Sequence, residues 1–352
     1  MREMKNIDNS VSFSGLGGKL MELEGLSSLS DINKMAVMGF WEVLKNLKFL
    51  KSVEKNVLKH LKKTSIDAVI LIDYPGFNLR IAKKIKKMNP AIPIFYYISP
   101  QVWAWKEGRI NIIKEYIDKM LVIFEFEYIW YKKRGVETEF VGHPFVDIYQ
   151  TNNRVACREN LNLSQDKKCL TLFPGSRKQE IDNHLPYMLQ AIKNPFFNDF
   201  EILLGQANTL GGEISDFYNL ENIKVIKSDS RRALEAADFA WVGSGTSTLE
   251  AVLLNIPITL VYKTSWASWK LMKKFVQVKY AGMPNIIMNE LVVTELLQEN
   301  YTVSNLIKET KDFFNNTHHQ KKLFEGYKKI KNKLGQPGAS ARAAKYIINS
   351  VN

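Results

Sequence analysis

Short apolar runs recur along this chain, and segments with helical spacing of polar and apolar residues separate them. Parallel strands read as continuous apolar runs, because helices cover both faces of the sheet. The alternation therefore predicts an α/β fold built from parallel sheets. The runs lie at 67–72, 92–98, 119–124 and 138–141, and then at 169–173, 201–204, 224–226, 239–242 and 258–261.

Length and one polar segment predict two domains. A chain of 352 residues exceeds one ordinary α/β core. Residues 152–168 are polar, rich in Asn and poor in apolar side chains, which is typical of a domain boundary. We expect Rossmann-like domains over 1–165 and 166–335 that face each other across a cleft, with ligands at the carboxyl ends of the strands.

The chain is basic, with a net charge of +13 and a pI near 9.4. Residues 1–150 carry 23 basic against 17 acidic side chains, and the remainder carries 26 against 19. This balance indicates an anionic partner. A non-catalytic nucleic-acid-binding protein is disfavoured, because the charge is spread over both halves without an aromatic-basic repeat or a groove-reading motif.

Cysteine usage and hydropathy bound the compartment. Cys157 and Cys169 form no CxxC pair and no His/Cys ligand spacing, so we expect a reducing cytoplasm and no structural zinc. Residues 1–9 are polar and carry no secretory signal. The charge-free window 88–105 contains three prolines, which favours strand plus loop over a membrane span.

The apolar run at 169–173 leads into a turn made of Pro174, Gly175, Ser176 and Arg177. Backbone N–H groups at a helix N-terminus, the Ser176 hydroxyl and the Arg177 guanidinium are suited to hold one phosphate together. The alternative is a plain Pro-Gly connector.

A second strand-to-helix turn lies at 243–250. The small and hydroxyl-bearing residues Ser244, Gly245 and Thr246 let a ligand approach the backbone closely. Glu250, about one turn into the helix, is placed to accept hydrogen bonds from a ribose diol. The alternative is that Thr246 or Ser247 simply caps the helix and that Glu250 complements the helix dipole.

Residues 40–63 combine apolar residues at helical spacing with seven Lys against two Glu. A basic amphipathic surface of this kind is suited to dock on anionic lipid headgroups. The alternative is an ordinary helix whose apolar face belongs to the core. The apolar residues are Trp41, Leu44, Leu47, Val53, Val57, Leu58 and Leu61.

Several motifs spread over nearly the whole chain form one further pattern. The most specific are SPQVWAW at 99–105 and PGSR at 174–177. The others are AVMGF at 36–40, IDYPGFN at 72–78, GHP at 142–144, SGT at 244–246 with Glu250, and Pro284 with Asn285. In this order they resemble the lipid-A-disaccharide synthases.

The resemblance implies a GT-B glycosyltransferase that inverts configuration and needs neither a metal nor another cofactor. It implies transfer of 2,3-diacylglucosamine from UDP-2,3-diacylglucosamine to 2,3-diacylglucosamine 1-phosphate, giving the β-1,6-linked lipid A disaccharide 1-phosphate and UDP. It also implies a cytoplasmic enzyme, peripheral on the inner face of the inner membrane of a Gram-negative-type bacterium. Residues 1–165 would form the acceptor and membrane side, and 166–335 the donor side.

The resemblance also implies a substrate-binding set on the donor side. Because the sequence has no Asp-x-Asp motif, Arg177 and helix N-termini would neutralise the leaving UDP. Asn285 joins the set by resemblance alone. The full set is Gly175, Ser176, Arg177, Ser244, Gly245, Thr246, Glu250 and Asn285.

An inverting transfer needs a general base for the acceptor 6-hydroxyl. Asp73 is the first choice, because it follows a strand of the acceptor half and matches the family position associated with catalysis. His143 is the second choice. The alternatives are that Asp73 only caps its own turn and that His143 is a hydrogen-bonded imidazole at a hinge.

The N-terminus departs from the family pattern. Members usually begin with a strand and a Gly-Glu-x-Ser-Gly-Asp loop ahead of the segment that reads FSGLGG at 13–18 here. We therefore expect the N-terminal sheet to lack its first strand and to have open edges. Either the start lies upstream of Met1, or the chain is an inactive truncated homologue.

Two further alternatives stay open at this point. Another UDP-sugar-using GT-B enzyme, an epimerase or an N-acetylglucosaminyl transferase, would share Arg177 and Glu250, although the motif at 99–105 argues against it. Residues 336–352 read as a loop and a final helix, which in a GT-B fold crosses back to the first domain. Exchange of that helix in a homodimer is an option that the sequence does not settle.

Overall fold

The computed structural model describes residues 1–30, 47–149, 153–207, 210, 212–227, 229–275 and 278–351, and it divides the chain into two units. Unit 1 comprises Met1–Pro144 and Pro337–Asn352, and unit 2 comprises Phe145–Gln336. The family-like motif at 36–40, together with Trp41 and Leu44, lies outside the described residues.

Strands and helices alternate through most of the described chain. The strands are β1 Phe13–Gly15, β2 Leu26–Ser28, β3 Val69–Ile72, β4 Ile94–Tyr97, β5 Lys119–Val122, β6 Thr138–Phe140, β7 Lys168–Phe173, β8 Phe200–Gly205, β9 Ile223–Ile226, β10 Phe239–Gly243, β11 Ile258–Tyr262 and β12 Thr294–Leu297. The helices are α1 Arg2–Ile7, α2 Lys19–Leu23, α3 Leu47–Lys63, α4 Pro75–Met88, α5 Ile110–Tyr116, α6 Glu125–Lys132, α7 Phe145–Ile148, α8 Arg154–Asn160, α9 Lys178–Ala191, α10 Arg231–Glu235, α11 Ser247–Leu253, α12 Trp266–Phe275, α13 Met283–Met288, α14 Val303–Asn315, α15 Thr317–Lys333 and α16 Ala339–Val351.

Unit 2 is built on a parallel six-stranded sheet with the order β9-β8-β7-β10-β11-β12. Numbered within the unit, this is the 3-2-1-4-5-6 order of a Rossmann domain. The central strands are buried on both faces, as Leu170, Leu172, Leu203 and Trp241 show. The predicted parallel α/β domain is confirmed for this half of the chain.

Unit 1 has two parallel sheets, β3-β4-β5-β6 and β1-β2. Within the described residues, β3 pairs with β4 on one side and has no strand partner on the other. Its last residue, Ile72, is 40% exposed although the strand is wholly apolar. This open edge is the feature expected of a sheet without its first strand.

The boundary between the units lies after Pro144, about twenty residues before the predicted boundary at 165. The reason is Arg158 of α8, whose buried guanidinium ties this helix to unit 2. It donates to the Ala236 carbonyl at 2.9 Å and to the Asp238 carboxylate at 2.6 Å. The polar composition of 152–168 therefore reflects a surface helix of unit 2 and not a linker.

The C-terminal helix α16 returns to unit 1. It packs against α1, and Arg342 Nε donates to the Val141 carbonyl at 2.8 Å. Lys119 lies over the Tyr346 ring, with 4.7 Å between the ammonium nitrogen and the ring centre. Residues from both ends of the sequence thus cover one side of unit 1.

Candidate active site

Two predicted donor turns meet at the centre of the unit 2 sheet. Strands β7 and β10 are neighbours, and the chain continues from their carboxyl ends into the turns at 174–177 and 243–246. A Cβ atom placed on Gly243 would lie 3.2 Å from the Pro174 carbonyl oxygen, so a glycine lets the two turns approach. This is the position where strand order reverses and where α/β sheets bind ligands.

The first turn is closed by its own helix. Gly175 has a φ of +130°, and a Cβ there would lie 2.5 Å from Glu180 Oε2. That carboxylate accepts from the Ser176 and Arg177 amides at 2.9 and 3.3 Å. In this structure Glu180 thus accepts from the two amides that were expected to bind a phosphate.

The Arg177 side chain is nevertheless presented to solvent. Its guanidinium is 82% exposed and lies 3.4 Å from Glu180 Oε1, an exposed pair that stabilises the fold little. An exposed guanidinium beside a glycine turn is suited to pair with a phosphate through two N–H groups.

The second turn carries the predicted hydroxyl groups. Ser244 Oγ donates to the Ala281 carbonyl at 2.9 Å, and Thr248 Oγ1 donates to the Gly245 carbonyl at 2.7 Å. Gly245 and Thr246 are exposed, and Thr246 makes no side-chain capping bond at the start of α11. The capping alternative for Thr246 therefore fails, and its side chain lies at the surface of the turn.

Glu250 lies at the end of the first turn of α11 and is largely buried. Burial raises the pKa of its carboxyl group, while a hydrogen bond from Tyr149 and the nearby Arg231 act in the opposite direction. The Arg231 guanidinium lies over the Tyr149 ring at 5.4 Å. Tyr149 and Arg231 thus surround this carboxylate, and neither residue was predicted from the sequence.

Asn285 is fully buried and satisfied inside unit 2. Its Nδ2 donates to the Val293 carbonyl at 2.9 Å and to Glu295 Oε1 at 2.8 Å, and its Oδ1 accepts from the Val292 and Val293 amides. These four bonds use the whole capacity of an amide. The hydrogen-bonding capacity of Asn285 is therefore used within unit 2 in this structure, and its contact with a sugar nucleotide stays a prediction.

Asn285 instead holds Glu295, which the sequence analysis missed. Glu295 accepts from the Ala281 amide at 2.9 Å and from the Gly282 amide at 2.9 Å. Ala281 is also the residue whose carbonyl accepts from Ser244. The pair of Asn285 and Glu295 thus fixes the segment against which the second donor turn rests.

His184 is a second residue that the sequence analysis missed. This buried imidazole on α9 accepts from the Lys263 amide through Nε2 at 2.9 Å. Nδ1 must therefore carry the proton and donate to the Pro174 carbonyl at 2.5 Å. Burial lowers the pKa of His184, which favours this neutral form. His184 joins the turn after β7 to the segment after β11.

In unit 1, the turn after β3 presents Asp73 at the surface. Asp73 and Tyr74 have φ values of +45° and +40°, which non-glycine residues rarely adopt. Asn78 Nδ2 donates to the Ile72 and Asp73 carbonyls at 2.9 and 2.7 Å, and the Tyr96 hydroxyl also donates to the Asp73 carbonyl. The backbone of Asp73 is therefore held from two sides, while its side chain is exposed.

The loop 98–105 follows β4 and is anchored from α6. The Trp103 indole donates to the buried Glu127 carboxylate at 2.9 Å, and the Tyr131 hydroxyl donates to the Pro100 carbonyl at 2.9 Å. Burial raises the pKa of Glu127 to about 7. Trp105, by contrast, is exposed. The loop is therefore anchored to α6 through Trp103 and Pro100, while Trp105 faces solvent.

His143 is buried against the Phe124 ring, with 5.1 Å between ring centres. Burial lowers its pKa to about 4, so the imidazole is neutral at pH 7. The His143 side chain is buried, whereas that of Asp73 is exposed. Asp73 is therefore the more accessible of the two candidates for the general base.

Residues 1–349 match a family model described as lipid-A-disaccharide synthetase. This chain belongs to the lipid-A-disaccharide synthase family. It is 35% identical to the synthase of Coxiella burnetii over 354 residues, covering 99% of this chain and 93% of the relative. It is also 35% identical to lipid-A-disaccharide synthase 1 of Legionella pneumophila, covering 99% and 92%, and 36% identical to the synthase of Syntrophus aciditrophicus, covering 95% and 88%.

Solved structures with low sequence identity share the fold of this glycosyltransferase. The calicheamicin glycosyltransferase has a TM-score of 0.61 at 10% identity, covering 99% of this chain and 93% of that one. Anabaena HepE in complex with UDP and glucose has a TM-score of 0.55 at 11% identity, covering 99% and 94%. UDP-GlcNAc 2-epimerase from Neisseria meningitidis, bound to UDP-GlcNAc, has a TM-score of 0.58 at 12% identity, covering 93% and 85%. The predicted GT-B fold class is confirmed.

Residues 40–63 of this synthase family member were a candidate membrane surface. The described part of this segment, α3, packs its apolar side on the core of unit 1. On α3, Leu50 and Val53 are buried, and Val57, Leu58 and Leu61 pack against the unit 1 core. In the described part of this helix these apolar residues therefore pack on the core, as the core alternative expects, and the membrane interpretation of 40–63 stays a prediction.

The described part of the chain contains neither a membrane-spanning helix nor a metal cluster. None of its helices combines the length and the apolar content needed to cross a bilayer. No group of three or more His, Cys, Asp or Glu residues there could hold a metal ion.

Proposed function

We propose that this chain transfers 2,3-diacylglucosamine from UDP-2,3-diacylglucosamine to 2,3-diacylglucosamine 1-phosphate, forming the β-1,6-linked disaccharide 1-phosphate and UDP. The observation that carries the proposal is the meeting of the PGSR and SGT turns beside Gly243, in a member of this synthase family. The neighbours crystallised with UDP or UDP-GlcNAc support a UDP-sugar as donor.

On the donor side, the exposed Arg177 guanidinium pairs with the diphosphate. As the bond between the anomeric carbon and the UDP oxygen breaks, negative charge grows on the leaving group, and a cation already in place stabilises it. Ser176, Ser244 and Thr246 supply hydroxyl groups at the same strand ends. Glu250 accepts from the ribose diol through the lone pairs that Tyr149 leaves unused.

On the acceptor side, Asp73 takes the proton of the 6-hydroxyl. The hydroxyl oxygen forms a bond to the anomeric carbon from the face opposite UDP, so configuration inverts. The proton goes to the Asp73 carboxylate and the electron pair of the breaking bond leaves with UDP. Asn78 and Tyr96 hold the backbone of this turn, so the main chain of Asp73 is fixed before substrate arrives.

The test of the base is Asp73→Asn, assayed in mixed micelles with both lipid substrates. We expect kcat to fall about 10²–10⁴-fold while binding of both substrates is retained. Asp67→Asn is the matched control, since Asp67 is exposed ahead of the same strand. An Asp73→Asn variant that turns over at the wild-type rate removes Asp73 from this role, and His143 is then the next candidate.

The test of the donor site is Arg177→Ala, with UDP affinity measured by calorimetry. Loss of a charge-assisted pair predicts a roughly tenfold to hundredfold weaker Kd. Lys178→Ala is the control, because Lys178 is the next residue, exposed and paired with Asp182 at 3.2 Å. Equal affinities for the wild type and both variants would place the diphosphate elsewhere.

We also propose that the enzyme is peripheral on an anionic membrane surface, the inner face of the inner membrane, because both substrates carry acyl chains. A homodimer that exchanges C-terminal elements is a further proposal. In such a dimer α16 of one chain would make the contact with α1 that it makes here within one chain. Sedimentation velocity of the wild type against a chain shortened before Ala339 tests it.

A further inference from the structure

One helix of unit 2 has a lysine- and tryptophan-rich surface that the site does not use. Residues 251–289 contain five Lys and not one Asp or Glu, although acidic residues make up about a tenth of the chain, 36 of 352. Helix α12 lies in the middle of this stretch. Its positive charge is therefore not balanced by neighbours in sequence.

Four of the described side chains of α12 form one stripe. Trp266, Trp269, Lys270 and Lys273 are spaced i, i+3, i+4 and i+7, which places them on one helix face. The Lys270 ammonium lies 4.9 Å from the centre of the Trp266 ring, and the Lys273 ammonium lies 5.3 Å from that of Trp269. Both lysines are exposed.

Trp266 is 70% exposed, which is a costly position for so large an apolar ring in water. Trp and Lys prefer the same place at a bilayer, where the ring enters the headgroup region and the ammonium stays with the phosphates. Charge complementarity therefore favours an anionic lipid surface as the occupant of this stripe.

The helix also starts close to the donor loops. Strand β11 ends at Tyr262, and the Lys263 amide that follows it bonds to His184 of the site. Only two residues separate Lys263 from the first residue of α12. A bilayer bound by α12 would thus lie near the carboxyl edge of the unit 2 sheet, where a lipid-linked donor has to arrive.

We infer that the Trp266, Trp269, Lys270 and Lys273 face of α12 binds the headgroup boundary of an anionic membrane and holds unit 2 at its acylated substrate. The inference rests on the proposed peripheral association and names the surface that produces it. The basic helix α3 does not compete for this role in its described part, because its apolar side is in the core.

The test measures binding of the full chain to phosphatidylglycerol-containing vesicles by sedimentation. At about 1 kcal/mol for each lysine near the surface, Lys270→Glu with Lys273→Glu should lower the partition coefficient by about 30-fold or more. Trp266→Ala with Trp269→Ala should also lower the partition coefficient, and this loss should depend less on the salt concentration than the loss caused by the lysine substitutions. Vesicles of phosphatidylcholine alone should bind the wild type weakly.

Matched controls come from α15, whose Lys328 and Lys329 are exposed. Lys328→Glu with Lys329→Glu changes the net charge equally and should leave vesicle binding within about twofold, since these lysines lie on a different helix. UDP affinity, measured on every variant, reports whether unit 2 is folded.

The outcomes separate the two proposals. A wild type that does not bind anionic vesicles overturns both this inference and the proposed membrane association. Wild-type binding that the α12 variants retain, or that the α15 control loses equally, overturns the inference alone. Single-stranded RNA that binds the stripe while anionic vesicles do not would identify it as a nucleic-acid surface instead.

Discussion

Glu127 offers a sharp test of how the loop 98–105 is supported. Its carboxyl group is buried beneath that loop and accepts from Trp103. Burial raises the pKa of Glu127 from 4.5 to about 7, so the folded chain retains a proton that the unfolded chain loses between these pH values. The contribution of Glu127 to stability therefore falls as the pH rises through this window.

The magnitude follows from the two pKa values. Each unit of difference corresponds to about 1.36 kcal/mol, so the full penalty well above pH 7 is about 3 kcal/mol. Between pH 5 and pH 8 the linkage relation gives a loss of about 2–3 kcal/mol. Glu127→Gln keeps an oxygen acceptor for Trp103 but cannot ionise, so this loss should disappear in the variant.

The assay is hydrogen exchange of β4 and β5 peptides, read as the opening free energy of unit 1 at pH 5 and pH 8. Glu125→Gln, an exposed position on the same helix, is the control. His143 acts in the opposite direction, because its pKa is lowered to about 4 and its contribution is lost as the pH falls below 6.5. That background is common to every chain compared. Parallel pH profiles for the wild type and Glu127→Gln would refute the buried-charge account.

Three more outcomes are expected in unit 2. Asn285→Ala leaves several buried groups without partners and should cost about 2–4 kcal/mol in urea unfolding, with weaker UDP binding. Gly175→Ala combines a φ of +130° with a Cβ 2.5 Å from Glu180, so it should destabilise the turn by about 1–3 kcal/mol and weaken UDP binding in calorimetry. The pKa of His184 is lowered from its usual 6.5, so its contribution to stability is lost as the pH falls below that value. Protonation of Nε2 breaks the hydrogen bond from the Lys263 amide and should also weaken UDP binding. In UDP titrations at a series of pH values, His184→Gln should show a smaller pH dependence than the wild type.

Most of the sheet was predictable because buried parallel strands are apolar throughout. Strand β12 was missed because it begins Thr294-Glu295, and a charged residue in a strand argues against burial in sequence. Glu295 is accommodated in this strand by tertiary contacts, because its carboxylate accepts from Asn285 and from the amides of Ala281 and Gly282. A partner 10 or more residues away leaves no local pattern that identifies the strand.

The positions of the two turns were predictable from the sequence, but the residues that form hydrogen bonds with them were not. Glu180 lies three residues after Arg177, which is the spacing of a capping box. This spacing is the one local signal that a carboxylate accepts hydrogen bonds from the amides of the turn. No comparable signal marked His184 or Tyr149. Both residues lie beside the site only because the fold brings together elements that are distant in sequence.

The turns after β7 and β3 differ in backbone strain. In unit 2 the turn at the end of β7 uses Gly175, which adopts a positive φ at little cost, so the donor turn is unstrained. In unit 1, Asp73, Tyr74 and the β-branched Ile98 adopt φ values of +45°, +40° and +60° at the ends of β3 and β4. Each such residue costs about 1–3 kcal/mol and persists only where its surroundings hold it. The hydrogen bonds to the Asp73 carbonyl offset that cost, and strain of this kind concentrates where a reacting group must be aimed. The strained backbone at the β3 end supports the proposal that Asp73 of unit 1 takes the proton.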